Sequence, residues 1–525
     1  MASQVPDSVN INGLIDALQK VDAYPDKIET EIEVRETHIS VVFLAGEFAY
    51  KVKKPIKTEF LDYSTLELRK QHCEEELRLD RRYAADMYVG VVPIVLADNR
   101  LRIGSEADRD GNAQTVDYAV KMRRFPQDCL LSERVQAGHL TTDEVHELAT
   151  TIATFHQNAA RCQPSLALQW PEYLVSNLGQ IISGLRHKVD LETAATLRAL
   201  QTWADEFFRD HLHVLVDRVD QGFVRECHGD LHLQNVVLWD GRLVPFDGIE
   251  FNERLRWIDV LCDAAFLQMD LASQGHLDLS RSYINAYLEQ TGDYESIPVL
   301  RCFLIYRSLV RALVSTIRSA QSQLSSSQSD AAVLDARQHI SLAFQYTQSS
   351  APQLWITHGV SGSGKSYFSE RVVQQHQAFR IRSDIERKRL FGLSPTERPS
   401  EASQAQLYSD DSNQKTYARL KVLAGGILRS GYSVIVDATF LMHRDRESFR
   451  ELAIQEGVSF AILHCHSDDQ TLRQRVADRM AHNDDASDAG LEVLEHQLAT
   501  HQPLTDAERR FVVDVPDLVH VAQEL

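Results

Sequence analysis

Residues 359–366 read Gly359-Val-Ser361-Gly362-Ser363-Gly364-Lys365-Ser366, and what stands on either side of this glycine run admits few folds. Before it comes an apolar, strand-like stretch, Leu354-Trp-Ile-Thr-His, and after it Ser366 to His376 carries Phe368, Val372 and Val373 at helical spacing. Strand, glycine turn and helix in that order predict a parallel sheet with a phosphate cradle at its edge. The glycines let backbone N–H groups of Gly359, Ser361, Gly362, Ser363 and Gly364 approach phosphate oxygens, and the helix N-terminus adds a favourable potential. Lys365 then reaches the β- and γ-phosphates of ATP, and the Ser366 hydroxyl is placed to ligate Mg²⁺.

Downstream, strands at 379–382, 433–437 and 460–464 alternate with helical stretches at 412–430 and 443–456, the pattern of a doubly wound parallel sheet. Ligands of such sheets gather at the carboxyl ends of the strands, where Asp384 and Asp437 fall. The segment Ser383-Asp384-Ile-Glu-Arg387 resembles the acceptor-activating segment of polynucleotide kinases and of zeta-toxin-type small-substrate kinases. That resemblance implies that Asp384 acts on an acceptor hydroxyl and that Arg387 binds the substrate. Val-Ile-Val-Asp437-Ala-Thr439 is similar to the Walker B-like segment of the same group, which assigns Asp437 to the metal. A further helix carries Arg473, Arg475 and Arg479, and its Arg475 and Arg479 share a face. This face looks like the arginine lid of such kinases, with Arg475 as the expected contact to the transferring phosphoryl group and Arg479 as a second ATP contact.

A different chemistry is written at His228-Gly-Asp230-Leu-His-Leu-Gln-Asn235. It is followed by two apolar strands, 236–239 and 242–246, joined by Asp240-Gly241. That pair suits the φ > 0 turn of a tight hairpin, and pairing outward from it sets Asn235 opposite Phe246, next to Asp247. An amide oxygen and a carboxylate so placed can share a Mg²⁺, which prefers hard oxygen ligands. The run His-Gly-Asp-x-x-x-x-Asn resembles the catalytic loop of aminoglycoside phosphotransferases and the wider protein-kinase-like fold. By that resemblance Asp230 orients or deprotonates the acceptor hydroxyl, Asn235 and Asp247 hold Mg²⁺, and His228 braces the loop.

A kinase-like lobe also needs a lysine for the phosphates and an acid to hold it. Two strands around Ala45-Gly46-Glu47 carry Lys51 in Phe-Ala-Tyr-Lys51, similar to the Val-Ala-Ile-Lys pattern of the kinase third strand. Lys53 faces the same side, and Lys51 is favoured. The helical stretch 64–83 offers Glu74, Glu75 and Glu76 as partners, of which Glu75 is the choice. No Gly-x-Gly-x-x-Gly precedes Lys51, a departure from protein kinases that aminoglycoside-kinase relatives share.

These motifs divide the chain into a bilobal kinase-like domain at 1–350 and a P-loop domain at 351–525, an α+β fold followed by an α/β one. The first has an N-lobe over roughly 1–125 and a helical C-lobe to 350. Apolar spacing predicts helices in 143–156, 193–208 and 300–317, and Ser319–Asp330 reads as an exposed loop. Asp263, ahead of an apolar run, is expected to anchor backbone amides, while Glu250 and Asp259 stay open between substrate and loop contacts.

With 55 Lys and Arg against 75 Asp and Glu, net charge −20, the chain lacks the basic excess of a duplex-nucleic-acid binder. A small hydroxyl acceptor of the sugar, aminosugar, polyol or nucleoside class is favoured, and the expectation is a bifunctional ATP-dependent phosphotransferase. The alternatives are a nucleic-acid 5′-end kinase, or a P-loop ATPase that regulates the first domain. The seven cysteines show neither metal-ligand spacing nor a disulfide framework, and no apolar span reaches membrane length, which points to the cytosol and away from membranes. Nothing in the sequence addresses oligomeric state.

Overall fold

The computed structural model describes residues 10–58, 61–105, 108, 113–321, 325–348, 351–395, 397, 406–407, 409–482 and 490–514. The chain forms two compact units, one of Met1–Glu144, Asn158–Trp170 and Arg218–Asp263, the other of Val145–Gln157, Pro171–Asp217 and Ala264–Leu525. The second unit therefore contains helical segments from both sides of residue 350.

The first unit is built on an antiparallel sheet of six strands in the order β1-β2-β3-β6-β4-β5. These are β1 (Glu33–Glu36), β2 (Ser40–Ala45), β3 (Phe48–Lys53), β4 (Tyr88–Ala97), β5 (Arg100–Ile103) and β6 (Gln114–Arg123). Alternation sorts the residues of β2 and β3: Val41, Phe43, Tyr50 and Val52 enter a core with Leu14, Leu18, Ile94 and Ile103. Side chains one step out of phase, Lys51 and Lys53, go to the opposite face. Helix α1 (Leu66–Ala84) starts at Thr65, whose side chain accepts from Leu68 N. It lays Arg69, Cys73, Glu76 and Asp80 inward as one stripe. Arg69 is neutralised there by Asp117 of β6 at 2.8 Å.

Strand β7 (Val224–Glu226) pairs with β10 (Trp257–Asp259), and between them β8 (Val236–Trp239) and β9 (Arg242–Pro245) form the expected hairpin. Asp240 and Gly241 turn at φ 48° and 78°, left-handed at both positions, as a twisted two-residue hairpin demands. The register continues one step past the strands, where Phe246 N donates to Asn235 O at 3.0 Å.

Further helices include α2 (Thr142–Asn158), α3 (Leu191–Asp220), α4 (Val260–Ser273), α5 (Leu277–Thr291), α6 (Ile297–Ser319) and α7 (Ser326–Thr347). The polar stretch expected as a loop to residue 330 instead turns helical at Ser326. A capping box explains the early start: Gln328 N donates to Ser325 Oγ at 3.3 Å, and Ser325 N donates to Gln328 Oε1 at 3.0 Å.

In the second unit β11 (Gln353–His358), β12 (Ala378–Arg382), β13 (Ser433–Asp437), β14 (Ser459–His464) and β15 (Val512–Asp514) form an all-parallel sheet in the order β12-β13-β11-β14-β15. Helices α8 (Lys365–Gln375), α9 (Ser383–Leu390), α10 (Asp410–Arg429), α11 (His443–Glu456), α12 (Asp469–His482) and α13 (Leu491–Thr500) connect or flank these strands. Val372 and Val373 of α8 pack on Trp355, Ile435 and Leu463, which fixes the helix that follows the glycine loop against the sheet. Among the described residues no helix is long and apolar enough to cross a membrane.

Candidate functional site

In the first unit the two lysines of β3 meet three acids, one from helix α1 and two from the segment that follows β9. Lys51 Nζ donates to Asp247 and lies 3.0 Å from Glu76 Oε1. Lys53, wholly buried, bonds to Glu76 Oε2 at 2.6 Å and to Glu250, which also accepts from Tyr63 Oη. Glu76 is fully buried and is shared by both cations, one oxygen each. Burial by itself would lower the Lys51 pKa, but the Asp247 and Glu76 carboxylates outweigh it and raise the value well above the usual. For Glu250 burial pushes the carboxyl up, and Lys53 and Lys51 reverse the sign and hold it below its ordinary range.

Glu75, the expected partner, is not in this cluster and is corrected to Glu76. One residue is a rotation of about 100° on a helix, and it carries Glu75 off the buried stripe. Its carboxylate accepts from Arg78 at 2.8 and 2.7 Å and from Arg256 at 2.9 Å. Lys51 does face the metal-type acid, with Lys53 behind it.

The catalytic-type loop is held by buried acids. Asp263 accepts from His228 N at 3.0 Å and Gly229 N at 2.9 Å, the amide anchoring expected of it. The His228 imidazole sits 2.9 Å from Phe246 O, and burial lowers its pKa, so it braces the loop as a neutral ring. Asp80, with its pKa raised by burial, accepts from Gly248 N at 2.8 Å. Asp247 takes the left-handed φ of 63°, uncommon for a residue with a Cβ, and its N–H donates to Tyr88 Oη at 3.1 Å. Asn235 Nδ2 donates to Asp230 O at 3.0 Å and Asp230 Oδ2 at 3.1 Å, and His232 Nε2 lies 3.2 Å from the same carboxylate oxygen. With its nitrogen engaged, the amide of Asn235 is left to offer its oxygen. That oxygen and the half-exposed Asp247 carboxylate fit a hard divalent cation. Asp259 pairs with Arg218 at 2.7 Å and takes a structural place.

In the second unit Gly364 is the N-cap of α8, and Gly359 runs so close to β14 that a Cβ there would lie 2.2 Å from Cys465 O. Lys365 Nζ donates to Val360 O at 2.8 Å, across the mouth of the loop, and Ser361 N donates to Gln497 Oε1 at 2.8 Å. Ser369 Oγ lies 3.0 Å from Asp437 Oδ2 and 3.1 Å from Ser366 O, linking the strand-end acid to the residue expected to ligate the metal. Arg475 Nη1 donates to Gly362 O at 3.2 Å, whereas Arg473 turns outward to Glu495 at 2.8 Å. The Arg479 side chain falls outside the described residues. Asp384 stands in the first turn of α9, with Arg387 Nη1 3.5 Å away and Arg387 Nη2 donating to Asn413 Oδ1 at 3.0 Å.

Several residues of these sites went unremarked in the sequence. Asp80 and Gln497 are ordinary helical residues there, although the spacing 69, 73, 76, 80 carries the inward stripe. His358 and His464, paired at 2.8 Å through their Nδ1 atoms at the carboxyl ends of β11 and β14, also went unnoticed. Burial, then the charges of His464 and Arg446, bring the His358 pKa down to about 3, so it is neutral.

Residues 354–504 match the family model AAA_33, an AAA domain. Among solved structures, a choline/ethanolamine kinase family protein from Mesorhizobium loti is 12% identical, covers 63% of this chain and 99% of its own, and has a TM-score of 0.36. A gluconokinase from Sinorhizobium meliloti 1021 is 24% identical, over 33% of this chain and 89% of its own, with a TM-score of 0.23. The chain joins a region built on a six-stranded antiparallel sheet to a P-loop domain with a parallel sheet. Uncharacterized protein Rv2004c of Mycobacterium tuberculosis (strain ATCC 25618 / H37Rv) is 30% identical over 475 residues, 89% of this chain and 90% of that protein, and the chain belongs to its family.

Proposed function

We propose that the chain is a bifunctional ATP-dependent phosphotransferase whose two centres each move the γ-phosphate of ATP to a hydroxyl of a small molecule. The observation that carries this reading is the cluster in which Lys51 is held between Glu76 and Asp247, with Asp247 one residue beyond the hairpin that fixes Asn235 beside Asp230. That set contains a cation for the phosphates, two oxygen ligands and a base for the acceptor.

In the transfer the acceptor oxygen forms its bond to Pγ as the bond from Pγ to the β,γ-bridging oxygen breaks. The electron pair leaves with ADP, and the hydroxyl proton passes to Asp230. Asn235 and His232 hold the Asp230 carboxylate in place, so orientation is set before the acceptor arrives. Asn235 and Asp247 would hold Mg²⁺, whose charge would offset that of the phosphates. In the second centre Asp384 takes the base role, Lys365 and Arg475 face the phosphates, and Ser366 and Asp437 serve the metal. Arg387 holds the acceptor. Net charge −20 favours a small neutral or cationic acceptor over a polyanion.

The test is a metabolite screen read by a mass increase of one phosphoryl group, run with the wild type, Asp230→Asn and Lys365→Ala. Two product sets, each lost in one variant only, support the proposal. ATP turnover that persists in both variants and phosphorylates nothing contradicts it.

A further inference from the structure

A cavity of about 180 Å³ lies in the second unit, far from the proposed chemistry. Its lining includes Gln268, Arg281, Ile284, Tyr346, Phe379 and Tyr432. Phe379 is near the start of β12 and Tyr432 directly precedes β13. The cavity is therefore at the amino ends of these parallel strands, whereas the phosphate loop leaves the carboxyl end of β11. Nucleotide and acceptor of the P-loop centre belong to that other edge.

Two polar groups in the lining lack the partners that burial normally requires. Gln268 is 9% exposed, and its buried Oε1 accepts no hydrogen bond among the described residues. The partly buried guanidinium of Arg281 donates through Nη1 to Gln374 O at 2.8 Å but makes no ion pair among the described residues. Burial lowers its pKa, with Asp278 and then Tyr346 acting in the other direction. A desolvated cation and an orphan acceptor, set among Tyr346, Phe379 and Tyr432, describe a ligand with an anionic group, a hydrogen-bond donor and an aromatic body. A cavity of roughly 150 Å³ holds benzene, so this one has room for a single substituted ring.

We propose that this cavity is an effector site for a small aromatic carboxylate bearing a hydroxyl or amino group, and that its occupancy is felt at the phosphate loop. The carboxylate pairs with Arg281 and the donor meets Gln268 Oε1. Transmission has a short physical route. Gln374, which Arg281 holds, is in the last turn of α8, and Lys365 and Ser366 open the same helix. On α5, Asn285 bonds Ala378 O at 3.2 Å and Arg380 N at 2.7 Å, so α5 also grips the strand beside the cavity.

Calorimetric titration of the full chain with 4-hydroxybenzoate, benzoate and phenol tests this. One molecule of 4-hydroxybenzoate should bind per chain, at least about tenfold more tightly than benzoate, which lacks the donor, or phenol, which lacks the anion. Arg281→Met should weaken both acids by about tenfold and leave phenol unchanged, and Arg281→Lys, which keeps the charge and guards against a folding artefact, should bind within about threefold of wild type. Gln268→Leu should erase the advantage of 4-hydroxybenzoate over benzoate. Saturating 4-hydroxybenzoate should shift the affinity of a non-hydrolysable ATP analogue for the Asp247→Asn protein, where the P-loop centre is read alone, by at least about twofold. No binding of 4-hydroxybenzoate at millimolar concentration, or equal binding by wild type and Arg281→Met, overturns the site. Binding with no change in analogue affinity overturns its role as an effector.

Discussion

Glu76 and Glu75 are neighbours with the same chemistry, and their surroundings separate them completely. Glu76 is buried between two lysines, while Glu75 is held by Arg78 and Arg256. Replacing Glu76 by Gln leaves Lys51 to Asp247 alone, and the account predicts a loss of about 100-fold or more in kcat/KM for the product that depends on Asp230. Glu75→Gln should stay within about threefold, since it alters a partly exposed ion pair. Steady-state kinetics of both variants on one acceptor decides between the two residues. At this scale the sequence was legible where a motif fixes spacing, which brings Asn235 beside Asp230, Asp247 beside Lys51, and Asp437, through Ser369, towards Ser366. It was not legible where three successive glutamates differ only in helical phase, because identity is silent and only the inward stripe of Arg69, Cys73, Glu76 and Asp80 distinguishes them.

Among elements, the glycine loop and the helix behind it bear the most demanding geometry. A methyl group at Gly359 would meet the backbone of Cys465 at 2.2 Å, and backbone cannot yield as a flexible side chain does. Gly359→Ala should therefore displace the loop and reduce ATP-analogue affinity at the P-loop centre by about tenfold or more, with the Asp247 centre untouched, as titration of each site would show. Helix α8 is also anchored at its middle. Glu370 accepts from Ser282 Oγ at 2.7 Å and pairs with Arg380 at 2.8 Å, and Arg380 in turn bonds Glu289 at 2.6 Å. Burial alone would raise the Glu370 pKa, but His146 and Arg380 bring it down to about 2 from an ordinary 4.5. A carboxyl depressed on folding stabilises fully above its unfolded pKa, and the contribution disappears as pH falls from about 4.5 to about 2. Denaturant unfolding across that window should lose on the order of 3 kcal/mol more in wild type than in Glu370→Gln. Element types were readable because strand and helix periods are clear; the early start of α7 was hidden because serine and glutamine suggest a loop until their capping box forms.

On the proposed reading the whole molecule combines two unrelated ways of gripping a nucleotide. One is an antiparallel sheet with a lysine and a hairpin acid, the other a parallel sheet with a glycine loop. Both plans could be read from the sequence, since each is carried by a short local motif between elements of clear period. The grouping of the chain into compact units was less visible, because which helices accompany which sheet depends on long-range packing such as Arg380 with Glu289. Calorimetric titration of the intact chain with a non-hydrolysable ATP analogue and Mg²⁺ addresses the central claim most directly. The account predicts two nucleotides bound per chain, one lost in Asp247→Asn and the other in Lys365→Ala. A single bound nucleotide in the wild type, or one variant that abolishes both, would contradict it.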